Sequence, residues 1–115
     1  MLSTKYSLSG KENFERVGKD GKMFQSESFG LSVLRRGDEN ISRFGFIVSN
    51  KISGDAVQRN RIKRALKAAV KYSLTEMGGG TDVVFLAKPS SLRKPTDLLI
   101  LEAKQALREV KLLKI

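Results

Sequence analysis

The stretch AVQRNRIKRALKAAVK, Ala56 to Lys71, carries six basic residues and no acidic one, yet its hydrophobic residues recur at helical spacing. At roughly 100° per residue, Ile62, Ala65, Leu66, Ala69 and Ser73 gather on one side. Arg59, Lys63, Lys67 and Lys71 recur every four residues, with Arg64 near them on the opposite arc and Arg61 close to the boundary. Val70 and Leu74 fall outside a narrow stripe, so the buried face must be broad. Asp55 reads as the N-cap and Gln58, three residues on, as its capping-box-like partner. Gly78 to Gly80 stop the helix, which is expected from about Ala56 to Met77. Arg59 and Arg61 stand at the end where the helix dipole disfavours cations, a cost of about 1 kcal/mol or less per charge. A partner with regularly spaced negative charge would offset it.

Working outward, the flanking segments read as strands and helices of a mixed domain. RFGFIVSN, before the basic helix, alternates with Phe44, Phe46 and Val48 on one side. Upstream, SFGLSVLRR alternates with Phe29, Leu31 and Val33 on one face and Gly30, Ser32 and Leu34 on the other. The polar RGDENIS, Arg36 to Ser42, is expected to be a hairpin-type connection between these two strands. Ser9 and Glu12 form an S-x-x-E pattern ahead of a short helix, roughly Gly10 to Lys19, and DGK at Asp20 to Lys22 reads as a turn. After the basic helix, DVVFLAK is a short apolar run typical of a buried strand. Thr96 or Asp97 caps a last helix in which Leu99, Ala103, Ala106, Leu107 and Val110 keep core spacing. The expected fold is α/β (α+β), one domain over residues 1–115, in the order α-β-β-α-β-α, with room for a further short strand around Lys22 to Ser26.

Composition narrows the function. A chain of 115 residues with 40% hydrophobic content can bury a single core. There is no Cys and no His, which removes disulfides, thiolate chemistry, Ser-His-Asp triads and His-ligated metals. The N-terminal residues lack the apolar core of a signal peptide and no run is long enough to span a membrane, so a soluble, cytoplasmic protein with no membrane partner is expected. Lys and Arg number 22 against 12 acids, a formal charge of +10. Self-repulsion on that scale points to a polyanion, nucleic acid before anionic lipid.

No short motif gathers two carboxylates for a two-metal nuclease site. GGGTD lacks the Lys and Ser/Thr of a phosphate loop and reads as a helix terminator. Asp55 is better explained as a cap than as a metal ligand, and Lys51 as a solvated lysine or phosphate contact than as an activated amine. The basic helix, by contrast, is a rigid row of cations pinned by its apolar back. It suits salt-dependent binding to RNA or DNA. The Arg bias at its N-terminal end matches phosphate forks, Asn60 adds a donor and an acceptor, and the alanines behind it are too small for a membrane-surface helix. Exposed rings on a sheet can stack single-stranded bases. Phe44, Phe46 and Phe85 are expected in the core and Phe14 partly exposed.

The run RNRIKR, Arg59 to Arg64, with the preceding GFIVSNKISGDAVQ, closely resembles the signature of the bacterial ribonuclease P protein subunit: a strand ending in Val-Ser-Lys-Lys or similar, a Gly-containing turn, Ala-Val, then Arg-Asn-Arg. ENFERVGKDGKMFQSESFGLSVL and DVVFLAKP are similar to other parts of that family. The resemblance implies a protein that assists a catalytic RNA in removing the 5′ leader from precursor tRNA and lowers its magnesium requirement. The magnesium is held by the RNA; there is no protein catalytic residue and no obligate protein partner. It further implies a fold like the second domain of ribosomal protein S5, with a left-handed β-α-β crossover. Arg59, Asn60, Arg61, Lys63, Arg64 and Lys67 match positions that bind the RNA subunit, and Lys51 the second of two paired lysines. Phe14 and the position of Ser32 match a cleft that receives the leader. Three residues depart from the pattern: Asn50 replaces a common lysine, and Gly18 and Ser32 replace frequent cleft aromatics. Leader stacking is therefore expected to be weaker than in aromatic-rich relatives. Alanine at Arg59 and Arg61 is expected to weaken RNA binding without unfolding the domain. A structural RNA-binding protein and a major-groove DNA-binding module are the competing readings; the RNR context and Phe14 favour the ribonuclease P reading over both.

Overall fold

Alternating strand patterns require a sheet, and helices with one apolar face require a surface to cover it. A computed structural model, describing residues 4–74 and 78–110, meets both needs with one four-stranded sheet and three helices. The elements are α1 (Lys11–Asp20), β1 (Lys22–Gln25), β2 (Phe29–Arg35), β3 (Arg43–Ile47), α2 (Ala56–Ser73), β4 (Thr81–Ala87) and α3 (Thr96–Glu109). The optional short strand is thus present as β1. Of the basic helix expected to reach Met77, α2 ends at Ser73, and residues 75–77 lie outside the described residues.

The strand order is β1-β2-β4-β3. β2 pairs antiparallel with both β1 and β4, while β3 and β4 are parallel and joined through α2. The hairpin expected between β2 and β3 is therefore absent, because β4 lies between them. The connecting loop instead crosses the start of β4. Arg36 N–H donates to Gly80 O at 2.8 Å and Gly80 N–H to Asn40 O at 2.7 Å. At the other edge, Leu8 N–H donates to Phe44 O at 2.8 Å, so the N-terminal segment covers part of β3.

Alternation divides the sheet cleanly. Phe29, Leu31, Val33, Phe44, Val83 and Phe85 are buried beneath α2 and α3, with Ile62, Leu66, Leu99 and Leu107 among the helix residues packed on them. Phe29 meets Phe85 edge-on at 5.5 Å, and Phe46 stacks on Phe85 at 5.4 Å. Phe44 and Phe85 are core as expected, and Phe46 is partly buried. On the opposite face α1 seats Val17 against Val84, with Leu8 completing a smaller core.

Capping follows the sequence in one helix and departs from it in the others. Asp55 caps α2 by accepting from Val57 N–H at 2.9 Å. Gln58 does not close a capping box; its Oε1 accepts from Arg61 Nε at 3.2 Å. α1 starts after Gly10, at φ 88°, without a side-chain cap from Ser9. α3 starts after Pro95, and the Thr96 hydroxyl accepts from Arg61 instead of capping.

α3 is also clasped to the β1–β2 turn. The Glu102 carboxylate accepts from the Ser26 hydroxyl at 2.5 Å, from Ser28 N–H and hydroxyl at 2.8 Å each, and lies 2.9 Å from Lys94 Nζ. Burial alone would push this carboxyl up, but the hydrogen bonds from Ser26, Ser28 and Lys94 outweigh it and hold it at about 2. Because the folded value is depressed, the clasp contributes fully above the ordinary glutamate range and is lost as pH falls from about 5 towards 2. Glu102→Gln is expected to cost about 1.5–3 kcal/mol at neutral pH. The difference from wild type in urea unfolding should shrink steadily on acidification; a pH-independent difference would show that no ionised clasp exists.

Candidate nucleic-acid interface

The RNR run does not act as one surface. Asn60, Arg64 and Lys71 are exposed on the outer side of α2, and Lys63 and Lys67 are partly exposed on its flank. Lys67 Nζ sits 5.9 Å above the Phe46 ring, which fixes its stem against the edge strand. The two motif arginines are turned towards the protein. Arg59 NH1 donates to Ser53 O at 2.8 Å, bracing the loop that enters α2. Arg61 donates to Leu92 O at 3.0 Å and to Lys94 O and Thr96 Oγ1 at 3.2 Å each, tying α2 to the turn that precedes α3. Lys51 is exposed in the loop between β3 and α2.

Alanine at Arg61, expected not to unfold the domain, therefore carries a stability cost. Arg61→Ala removes charge-assisted bonds to two part-buried backbone carbonyls and is expected to cost about 1.5–3 kcal/mol. Arg64→Ala, on a side chain with no protein partner in the described hydrogen bonds, should stay within about 0.5 kcal/mol. Urea melts of the two variants separate bracing from binding; equal melts would remove the bracing role.

The second half of the candidate site is the sheet face under α1. Phe14 is half-buried and lies against Gly45, where a Cβ would come within 2.5 Å of its ring. Gly45 therefore permits the helix to approach. Ser32, expected in the cleft, is buried under α1, and its hydroxyl donates to Val17 O at 2.8 Å. It anchors the helix and presents no surface to a ligand. Beyond α1 the same face stays open along a row set by register: Ile47 beside Leu86, Leu86 beside Gly30, Gly30 beside Gln25. Ile47 is the last residue of β3, so the row ends where the Lys51 loop and α2 begin.

At the other end of that face lies a cluster the sequence reading missed. Asp82, fully buried, receives Arg43 in a two-pronged contact at 2.9 and 2.8 Å and the guanidinium of Arg36, while Arg16 of α1 approaches to 3.7 Å. Arg36 also holds Asp38 at 3.0 Å, and this hydrogen bond keeps the surface carboxyl of Asp38 below its usual range. The available signal was one acid inside the run TDVVFLA, since a buried charge requires partners.

Among the described residues no three acidic side chains converge on a metal-sized space. The interior acids Asp82 and Glu102 are already satisfied by arginines, hydroxyls and a lysine. Among the same residues, no helix is long and apolar enough to cross a membrane.

A cationic helix face, an entry loop bearing Lys51 and a sheet row exposed at its ends on one small α+β frame can be compared with known proteins. The family model for ribonuclease P matches residues 2–111. The chain belongs to the ribonuclease P protein family. The ribonuclease P protein component of Roseiflexus castenholzii is 36% identical over 87 residues, covering 76% of this chain and 70% of that protein. The corresponding protein of a Cyanothece species is 29% identical over 98% of both chains. Among solved structures, the RNase P protein of Staphylococcus aureus superposes with a TM-score of 0.87 at 23% identity, over 95% of this chain and 98% of that one. That of Thermotoga maritima gives 0.79 at 22% identity, over 90% and 96%. These likenesses establish the family and its mixed α+β single-domain fold with three helices and a four-stranded sheet.

Proposed function

We propose that this chain is the RNA-binding protein component of a ribonuclease P, assisting a catalytic RNA in endonucleolytic removal of the 5′ leader from precursor tRNA. Family membership supports participation in that endoribonuclease complex. The observation that carries the finer reading is the short chain path between two exposed surfaces. The open row on the α1 face ends at Ile47, and the chain leaves it through Lys51 into the outward row of Asn60, Arg64, Lys67 and Lys71. One surface suits a single strand with apolar base faces; the other suits the phosphates of a folded RNA. A rigid link between them would hold the leader at a fixed distance from the RNA subunit.

In this reading the protein moves no proton and holds no magnesium; the ions belong to the RNA. Its cations screen repulsion between two polyanions, substrate and catalyst, and so lower the magnesium needed for productive binding. The cytoplasm, where tRNA is made in bacteria, is the compartment that fits. The test is cleavage of a 5′-extended precursor tRNA by the cognate ribonuclease P RNA at low magnesium, with and without the protein. RNA-dependent stimulation and no cleavage by the protein alone are expected. Tight RNA binding without stimulation would favour a structural RNA-binding protein.

A further inference from the structure

The sheet face beside α1 is left open and apolar where the rings expected of a base-stacking surface are missing. Gly18 leaves space, since a Cβ there would meet nothing within 4 Å, and Ser32 is hidden beneath the helix. What occupies that end of the face is β1. Register places Met23 opposite Ser32 and Gln25 opposite Gly30, so both side chains project to the α1 side of the sheet. A Cβ on Gly30 would lie 3.3 Å from Gln25 Oε1 and 3.4 Å from Met23 Sδ, so the two chains rest over bare β2 backbone. Met23 is nevertheless 49% exposed, and Ile47, at the far end of the row, 39%.

An exposed apolar strip on a protein of formal charge +10 fits a ligand that is anionic along its backbone and apolar on its faces. Single-stranded RNA has both properties. Exposed Lys51, in the loop that follows β3, stands at the same end of that strand as Ile47 to receive a phosphate.

We infer that Met23 and Gln25 are leader-contacting residues that determine how this protein grips its substrate. The Met23 thioether packs on the face of a leader base, and the Gln25 amide hydrogen-bonds to a base edge. This rests on the leader-binding reading above. A thioether is soft and polarizable, so it replaces an aromatic ring without demanding a fixed base orientation. The Gln25 amide offers both a donor and an acceptor, which can distinguish bases that Met23 accepts equally.

The experiment uses holoenzyme reconstituted with the cognate ribonuclease P RNA and compares affinity for a leader-bearing precursor with affinity for the mature tRNA. With wild-type protein the leader should add affinity. Met23→Ala should reduce that added affinity by about five- to tenfold, leaving mature tRNA binding and thermal stability unchanged. Met23→Leu should retain most of it. Gln25→Ala should narrow the spread of affinities across the four bases at the contacted leader position. If the leader adds affinity and Met23→Ala keeps all of it, the inference is overturned while leader binding stands. A spread unchanged by Gln25→Ala removes Gln25 from the contact. If the leader adds nothing with wild-type protein, the leader-binding reading itself fails, and the inference with it.

Discussion

Asp82→Asn is expected to lower the stability of this domain by roughly 3–5 kcal/mol, the usual cost of removing one partner from a buried ion pair. The asparagine fits the same space but leaves Arg43 and Arg36 without the charge that both of them face. It also points amide hydrogens at guanidinium donors, so at least one contact becomes repulsive. The loss would not stay local. Arg36 belongs to the loop that crosses the start of β4, Arg43 opens β3, and Arg16 stands on α1, so three separate segments converge on one carboxylate. Against a typical total of about 5–15 kcal/mol, this is at least about a fifth of the stability and most of it for a marginal domain. Asp38→Asn breaks an exposed, solvent-screened pair with Arg36 and should cost far less. Urea titrations should show a large fall in the Asp82→Asn midpoint with little change in slope. A loss below about 1 kcal/mol would mean that the arginines find other partners and that the cluster does not organise the sheet.

That cluster marks the boundary of what the sequence made legible. Periodicity found the elements that bury one face: Ile62, Leu66 and Ala69 for α2, Phe29, Leu31 and Val33 for β2. It could not say that β4 slides between β2 and β3, since a polar loop such as RGDENIS looks the same whether it closes a hairpin or crosses a strand. The capping patterns at Ser9 and Thr96 are plausible locally; α1 instead starts after Gly10, and at Thr96 a distant group competes. Thr96 Oγ1 is engaged by Arg61, 35 residues away. The same effect divided the RNR run. Helical spacing put Arg61 at the boundary of the buried face, and only the fold reveals the carbonyls of Leu92 and Lys94 waiting there. Ser32 was read by alignment with a frequent aromatic, and its small side chain instead let α1 settle onto the sheet. Side chains whose partners are far away in sequence carry no local signature, which is why the outward cations of α2 are easier to read from sequence than the bracing ones.

The second large effect should appear in RNA binding. Replacing Arg64, Lys67 and Lys71 together by glutamine is expected to weaken binding to ribonuclease P RNA by about a hundredfold at physiological salt and to reduce the slope of log affinity against log salt by about two to three. The reasoning is electrostatic. With Asn60, these side chains run along the outer side of α2 over about 16 Å, at 1.5 Å of rise per residue. The helix is fixed to the core by Ile62, Ala65, Leu66 and Ala69, so the cations meet phosphates without first paying to be ordered. Each phosphate neutralised releases counterions, a gain that is largest at low salt and vanishes as salt rises. Glutamine keeps the stems that cover Phe46 and the helix surface, so unfolding midpoints should hardly move. Arg61→Ala removes a charge of the same sign, but its guanidinium is held by protein carbonyls. Under conditions where that variant is folded, its salt slope should stay close to wild type. Affinities measured across a salt series for both variants decide the matter. If the triple variant keeps the wild-type slope, the outward row of α2 does not face phosphates, and the RNA must approach this protein from another side.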